Sequence, residues 1–96
     1  MKGLEAVYHD LSWQERKSLR ERYIKAQNGN CWYCKLPLSG KSLHETEKTP
    51  VNWSLFPGGK DFLRWPVHLH HDHDTGLTIG AVHAYCNAVS FEYEES

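Results

Sequence analysis

Between Trp13 and Gln27 the chain is mostly polar, yet Leu19, Tyr23 and Ala26 recur at helical spacing and mark a buried side. The pattern predicts an amphipathic helix, spanning about 12–28 with its caps. Ser12-x-x-Glu15 has the form of a capping box, in which hydroxyl and carboxylate satisfy orphan backbone N–H groups. Asn28-Gly29-Asn30 ends the helix with residues that tolerate a left-handed backbone. From Leu36 to Trp65 apolar residues carry no period and are broken by Pro37, Pro50, Pro57, Gly40, Gly58 and Gly59. So long a stretch without regular elements is expected to be functional in part or to wrap the core. Trp53, Phe56, Phe62 and Trp65 are expected to pack under it, and Tyr85 to join the core. Apolar and β-branched residues then return in Pro66–His71 and Leu77–Val82, two strands joined by a turn at Asp74-Thr75-Gly76. From His83 onward, HAYCNAVSFEYEE fits a short terminal helix.

A chain of 96 residues makes one domain, 1–96, and a core this small often needs a metal or disulfide to supplement it. No apolar run is long enough to span a bilayer. MKGLEAVYHDLSW lacks the apolar centre and cleavage site of a secretory signal, so a cytoplasmic protein is expected. The net charge of −1 excludes a basic field over the whole molecule. The signs are segregated, however: Arg16, Lys17, Arg20, Arg22, Lys25, Lys35 and Lys41 crowd the first half, and Glu92, Glu94 and Glu95 close the chain. A nucleic-acid partner would have to meet a local patch. Charge alone fits a solvated helix face as well.

Three cysteines, an odd number, argue against a disulfide framework. Cys31-Trp32-Tyr33-Cys34 and His83-Ala84-Tyr85-Cys86 repeat one spacing, with imidazole replacing a thiolate in the second pair. Together they predict a closed Cys3His structural zinc site whose knuckle halves, 31–34 and 83–86, tie the N-terminal helix to the C-terminal one. A thioredoxin-type redox pair is the rival reading of Cys31-x-x-Cys34, but that fold has a buried apolar strand before the first cysteine, and here a charged helix precedes it.

One window, VHLHHDHDTG (67–76), holds four of the seven histidines and two aspartates. Extended through the second strand into the terminal helix, the stretch HLHHDHDTGLTIGAVHAYCNAV resembles the HNH endonucleases of the ββα-metal (His-Me finger) group, most closely those of the phage recombination endonuclease VII type. The resemblance covers about 31–34 and 67–90, and leaves the N-terminal helix and middle segment aside. It implies an α+β fold, a small zinc-stabilised ββα core at about 66–94 carrying an N-terminal helix. It also implies a metal-dependent DNA endonuclease, nicking rather than cutting both strands because one such site cuts one strand, and leaving a 5′-phosphate and a 3′-hydroxyl. On the matching positions His71 is the general base, His70 the metal ligand before it, and Asn87 the second ligand. Asp72 and His73 continue the string as additional candidates. A phage context, with association among phage proteins, enters by the same analogy; a homodimer would allow paired nicks, but no sequence feature establishes one.

The chemistry suits those residue types. Water attacking a phosphodiester must lose a proton near neutral pH, and imidazole, with an ordinary pKa of about 6.5, can accept it. A divalent cation stabilises charge on the departing sugar oxygen. Adjacent strand residues point to opposite faces, so His70 and His71 could not both aim at one phosphate from a regular strand, and the pleat is expected to end or bend there.

Three departures from the family pattern matter. His70 stands where the nearest relatives have Asp, so manganese and nickel join magnesium as candidate cations. The second strand, TIGAVH, lacks the usual basic residue, so Arg64 or the N-terminal helix would supply a phosphate contact. Ser90 stands where an acidic residue is common. His9, His44 and His68 are read as bystanders. The rival function is a non-catalytic zinc module that binds nucleic acid or a protein partner.

Overall fold

The computed structural model describes residues 3–94; Met1, Lys2, Glu95 and Ser96, and with them part of the acidic C-terminal run, lie outside the described residues. It is a small α+β molecule: a two-stranded antiparallel sheet and three helices, α1 (Trp13–Ala26), α2 (His44–Lys48) and α3 (Ala84–Glu94), with strands β1 (Val67–His71) and β2 (Thr78–His83). Short 3-10 turns occupy Tyr8–Asp10, Trp53–Leu55 and Gly59–Leu63. Among the described residues no helix is long and apolar enough to cross a membrane.

Helix α1 starts where the capping box places it. The Glu15 N–H donates to Ser12 Oγ at 3.1 Å and the Ser12 N–H to Glu15 Oε1 at 2.8 Å. It ends as Asn28 and Gly29 turn left-handed, φ 56° and 78°, and the Gly29 N–H closes on the Ile24 carbonyl. Leu19 and Tyr23 are buried, as the period predicts. Ala26 is exposed: the last turn faces β2 through Gln27 instead. Gln27 acts there as a substitute strand, accepting from the Ala81 N–H and donating to the Ala81 carbonyl, at 2.8 and 2.9 Å. Those bonds satisfy β2 on the edge away from β1.

The hairpin pairs Val67 with His83, His68 with Val82, Leu69 with Ala81 and His70 with Gly80, and then His71 with Thr78. The register slips between His70 and His71, leaving Ile79 as the extra residue. The expected break in the pleat is therefore present. Asp72 closes the turn by accepting from the N–H groups of Asp74 and Thr75.

The N-terminal segment lies along the start of β2: the Tyr8 N–H donates to the Gly76 carbonyl and the Thr78 N–H to the Ala6 carbonyl, both at 2.8 Å. Tyr23, fully buried, bonds through its hydroxyl to Thr78 Oγ1 at 2.9 Å and ties α1 to the same strand. The middle segment wraps α3. Tyr85 donates to the Thr49 carbonyl, Tyr93 to that of Pro50, and the Asn52 N–H to Glu92. Phe56 packs against Phe62 and Phe91, and Trp53 against Tyr85, ring centroids 4.5–6.0 Å apart. Two expectations need correcting: Tyr85 is half-buried because its hydroxyl reaches the wrapping segment, and Trp65 is 68% exposed.

Candidate metal centre and histidine cluster

Residues 29–38 form a small knuckle. The Cys31 N–H donates to the Leu36 carbonyl, the Lys35 N–H to the Cys31 carbonyl, and Lys35 takes a left-handed φ of 70° to complete the turn. That bend brings Cys34 beside Cys31. His83 ends β2 and Cys86 lies in the first turn of α3, so the strand-to-helix junction supplies the other pair. The ligand atoms of Cys31, Cys34, His83 and Cys86 all lie within 4.8 Å of one another. All four expected ligands therefore meet, close enough to hold a metal such as zinc.

The surroundings fit such an ion. His83 Nε2 lies 2.9 Å from the Pro37 carbonyl, an acceptor only, so this nitrogen carries the proton and Nδ1 presents its lone pair. Nδ1 faces Cys34 Sγ at 3.4 Å and Cys86 Sγ at 3.7 Å. The Cys86 thiol, followed by the N–H groups of Cys34, His83 and Tyr33, holds the Cys31 pKa well below the usual thiol range against burial. The shared hydrogen bond with Cys31, followed by burial, pushes Cys86 up. Two buried sulfurs sharing one proton can both become thiolates only beside a cation, the usual state of a structural zinc site.

A second cluster lies along β1. His68 and His70, two apart, share one face of the strand, and both meet Asn87 from α3. Asn87 Oδ1 is 3.0 Å from His70 Nδ1, and Asn87 Nδ2 is 3.0 Å from His68 Nδ1. His70 is buried, and Trp32 from the zinc knuckle lies 6.0 Å from its ring. Burial, chiefly, lowers the His68 pKa to about 4.

Past the register slip, His71 turns to a different environment. Tyr8 stacks flat on its ring, centroids 4.1 Å apart and planes 8° from parallel, while His9 and His73 meet it edge-on at 5.4 and 4.9 Å. On Tyr8 sits Arg16, its guanidinium carbon 4.1 Å from the ring centroid and its Nε donating to the Tyr8 carbonyl. Burial, then the neighbouring His73, His9, His70 and Arg16 charges, lowers the His71 pKa to about 4. The imidazole is therefore neutral, with a lone pair to offer, throughout the neutral range.

His70 and Asn87 are thus together, and His71 comes next on the same strand, beyond the bulge. His73 is exposed between His71 and Phe91, and Asp72 is committed to the turn, its carboxyl held low by the Thr75 and Asp74 N–H groups. Comparison with protein-family models, curated proteins and solved structures finds no match.

Sequence reasoning set His68 and His9 aside as bystanders and gave Tyr8 no role, whereas all three touch the cluster. The signal for His68 was present: period-two alternation puts it on the face of His70. No local signal marks Tyr8 or His9, which reach His71 through the pairing of the N-terminal segment with β2. His44 remains a bystander, exposed on α2.

Proposed function

We propose that this protein is a metal-dependent DNA endonuclease that nicks one strand, built on a zinc-stabilised ββα core of the HNH type. The observation that carries the reading is the 3.0 Å separation of His70 Nδ1 and Asn87 Oδ1 one residue from the half-buried His71. Oδ1 only accepts, so Nδ1 donates across that gap. A divalent cation would take the place of the shared proton, with the two ligand atoms, at about 2.1 Å on neighbouring octahedral corners, still ~3.0 Å apart. Such an ion, held by only two side chains, would keep positions for phosphate oxygens and water, and would supply charge stabilisation for the departing oxygen.

The chain's own residues do the rest. His71, neutral at neutral pH, accepts the proton of the attacking water. The water oxygen forms the new bond to phosphorus, the bond from phosphorus to the 3′ oxygen breaks, and that oxygen leaves with the bonding pair and takes a proton from solvent water to become the hydroxyl. Stacking on Tyr8 fixes the plane of the His71 imidazole, and Arg16 behind Tyr8 adds positive charge near the phosphate.

Zinc-loaded protein incubated with supercoiled plasmid and with circular single-stranded DNA, in magnesium, manganese or nickel, tests the reading. Metal-dependent nicking is expected, and His71→Ala should lower its rate at least about a hundredfold with zinc content unchanged. Among the described residues the zinc quartet is the sole His/Cys/Asp/Glu group of three or more that can hold an ion. That observation favours a second reading, the non-catalytic zinc module. Folded wild type inert in every metal would select it.

A further inference from the structure

An open groove of about 520 Å³ runs over the histidine cluster. His68, His71, His73 and Asn87 form its floor. One wall is α1, where Trp13, Arg16 and Arg20 lie at positions i, i+3 and i+7 and so share a face. The other is the wrapping segment, with Leu55, Phe56, Phe62 and Trp65. Large apolar side chains stand open at both lips: Trp13 is 71% exposed, Trp65 68% and Leu55 46%. Single exposed apolar residues need no explanation, but two indoles and a leucine opening onto one groove do.

We propose that the groove takes a single-stranded stretch of DNA, phosphates against Arg16 and Arg20, unpaired bases stacked on Trp13 and Trp65. This deepens the nuclease reading and rests on it for the identity of the strand. Two features favour an unpaired strand over duplex. Duplex DNA keeps its base faces stacked inside and offers a protein surface chiefly phosphates, sugars and base edges, which leaves exposed indoles without a partner. An unpaired strand offers a π-face with every base. Of the side chains that line the groove, those of α1 include two cations and those of the facing wall are apolar, with Arg64 outside the lining. That asymmetry suits one backbone with bases to one side, whereas a duplex presents two backbones. Arg64, its guanidinium carbon 5.8 Å from the Trp65 ring centroid, adds a cation at the aromatic lip, as stacked sites for nucleobases often have.

Binding is measured by fluorescence anisotropy on the zinc-loaded His71→Ala chain, which separates binding from cutting. The probes are a labelled oligothymidylate of about twelve nucleotides and a hairpin duplex of equal mass. The single strand should bind at least about tenfold more tightly and quench tryptophan emission. Trp13→Ala and Trp65→Ala should each weaken it by about tenfold, and Trp65→Phe should restore most of the loss. Equal affinity for the duplex, or both alanine variants binding as the parent does, overturns the proposal. So does a concentration-dependent doubling of mass in light scattering that the alanine variants abolish, since a second copy of the chain would then cover the groove. The two readings fail separately. Strand binding in a wild type that never cuts would refute the nuclease alone, and metal-dependent nicking indifferent to both tryptophans would refute the groove assignment alone.

Discussion

Two side chains in this site differ in kind from what surrounds them. Tyr8 contributes no proton chemistry: its ring lies flat on His71 and is backed by Arg16. Stacked aromatic pairs contribute roughly 0.5–1.5 kcal/mol beyond area burial, enough to hold one orientation of an imidazole. Tyr8→Phe should therefore nick as the wild type does, while Tyr8→Ala should lower the maximal rate several-fold or more with zinc content unchanged. An alanine variant of full rate would remove Tyr8 from the account. His70 is the other. Imidazole favours softer cations than carboxylate does, so His70→Asp should shift the preferred metal for nicking away from nickel and toward magnesium. Rates in each metal, compared between the two proteins, read this directly; an unchanged order of metals would mean that position 70 does not touch the ion.

Among the elements, β2 is the most tightly constrained. It is paired on one edge with β1 and on the other with Gln27, Trp32 and the N-terminal segment. Gly80 sits at the crossing. A methyl group there would meet Gln27 Oε1 at 2.8 Å and Trp32 Cβ and Cγ at 3.1 Å. Gly80→Ala must displace a hydrogen-bonded amide and an indole, and should cost about 1–3 kcal/mol, seen as a drop of several degrees in Tm. A neutral result would mean that the knuckle gives way easily. The cap of α1 is simpler. The Ser12 N–H, then its hydroxyl, holds the Glu15 carboxyl below its ordinary range. A lowered carboxylate pKa gives stability that is complete above the unfolded value and lost as pH falls through the folded one. Ser12→Ala should lower the denaturant midpoint, and Glu15→Gln should remove the part of the acid dependence that this carboxylate carries.

Local signals were the legible ones. The α1 period and capping box, the turn at Asp74-Thr75-Gly76, the kink between two adjacent histidines and the matched x-x spacing of the metal pairs each depend on residues a few positions apart. Ala26 was misplaced because the helix's last turn is claimed by Gln27's bonds to β2, which periodicity does not encode. The wrapping of 43–65 around α3 and the seating of Tyr8 and His9 on His71 depend on contacts across most of the chain. Trp65 was misassigned because composition cannot distinguish an aromatic residue packed under a loop from one left open at a groove.

Across the whole molecule, the Cys3His quartet brings together what the chain separates. Cys34 and His83, whose ligand atoms approach to 3.4 Å, are 49 residues apart, and the knuckle is bound through them to the hairpin and α3. A core built on Leu19, Tyr23, Leu38, Leu69, Ala81 and Val82 is small, so metal binding and folding should be one event. Chelation should release one equivalent of zinc together with the loss of near-ultraviolet circular dichroism, and Cys86→Ser should destabilise in the same way. Retained tertiary signal without zinc would make the site an accessory. A metal in that quartet would hold β2 against α3, and with it Asn87 opposite His70. A second cation there, beside a neutral His71, is the claim on which the rest depends. Paramagnetic broadening by manganese in the NMR spectrum of the zinc-loaded protein tests it most directly. The side-chain signals of His70 and Asn87 should broaden first and those of His44 should not, with His70→Ala abolishing the effect. Uniform broadening, or none in that cluster, would contradict the account.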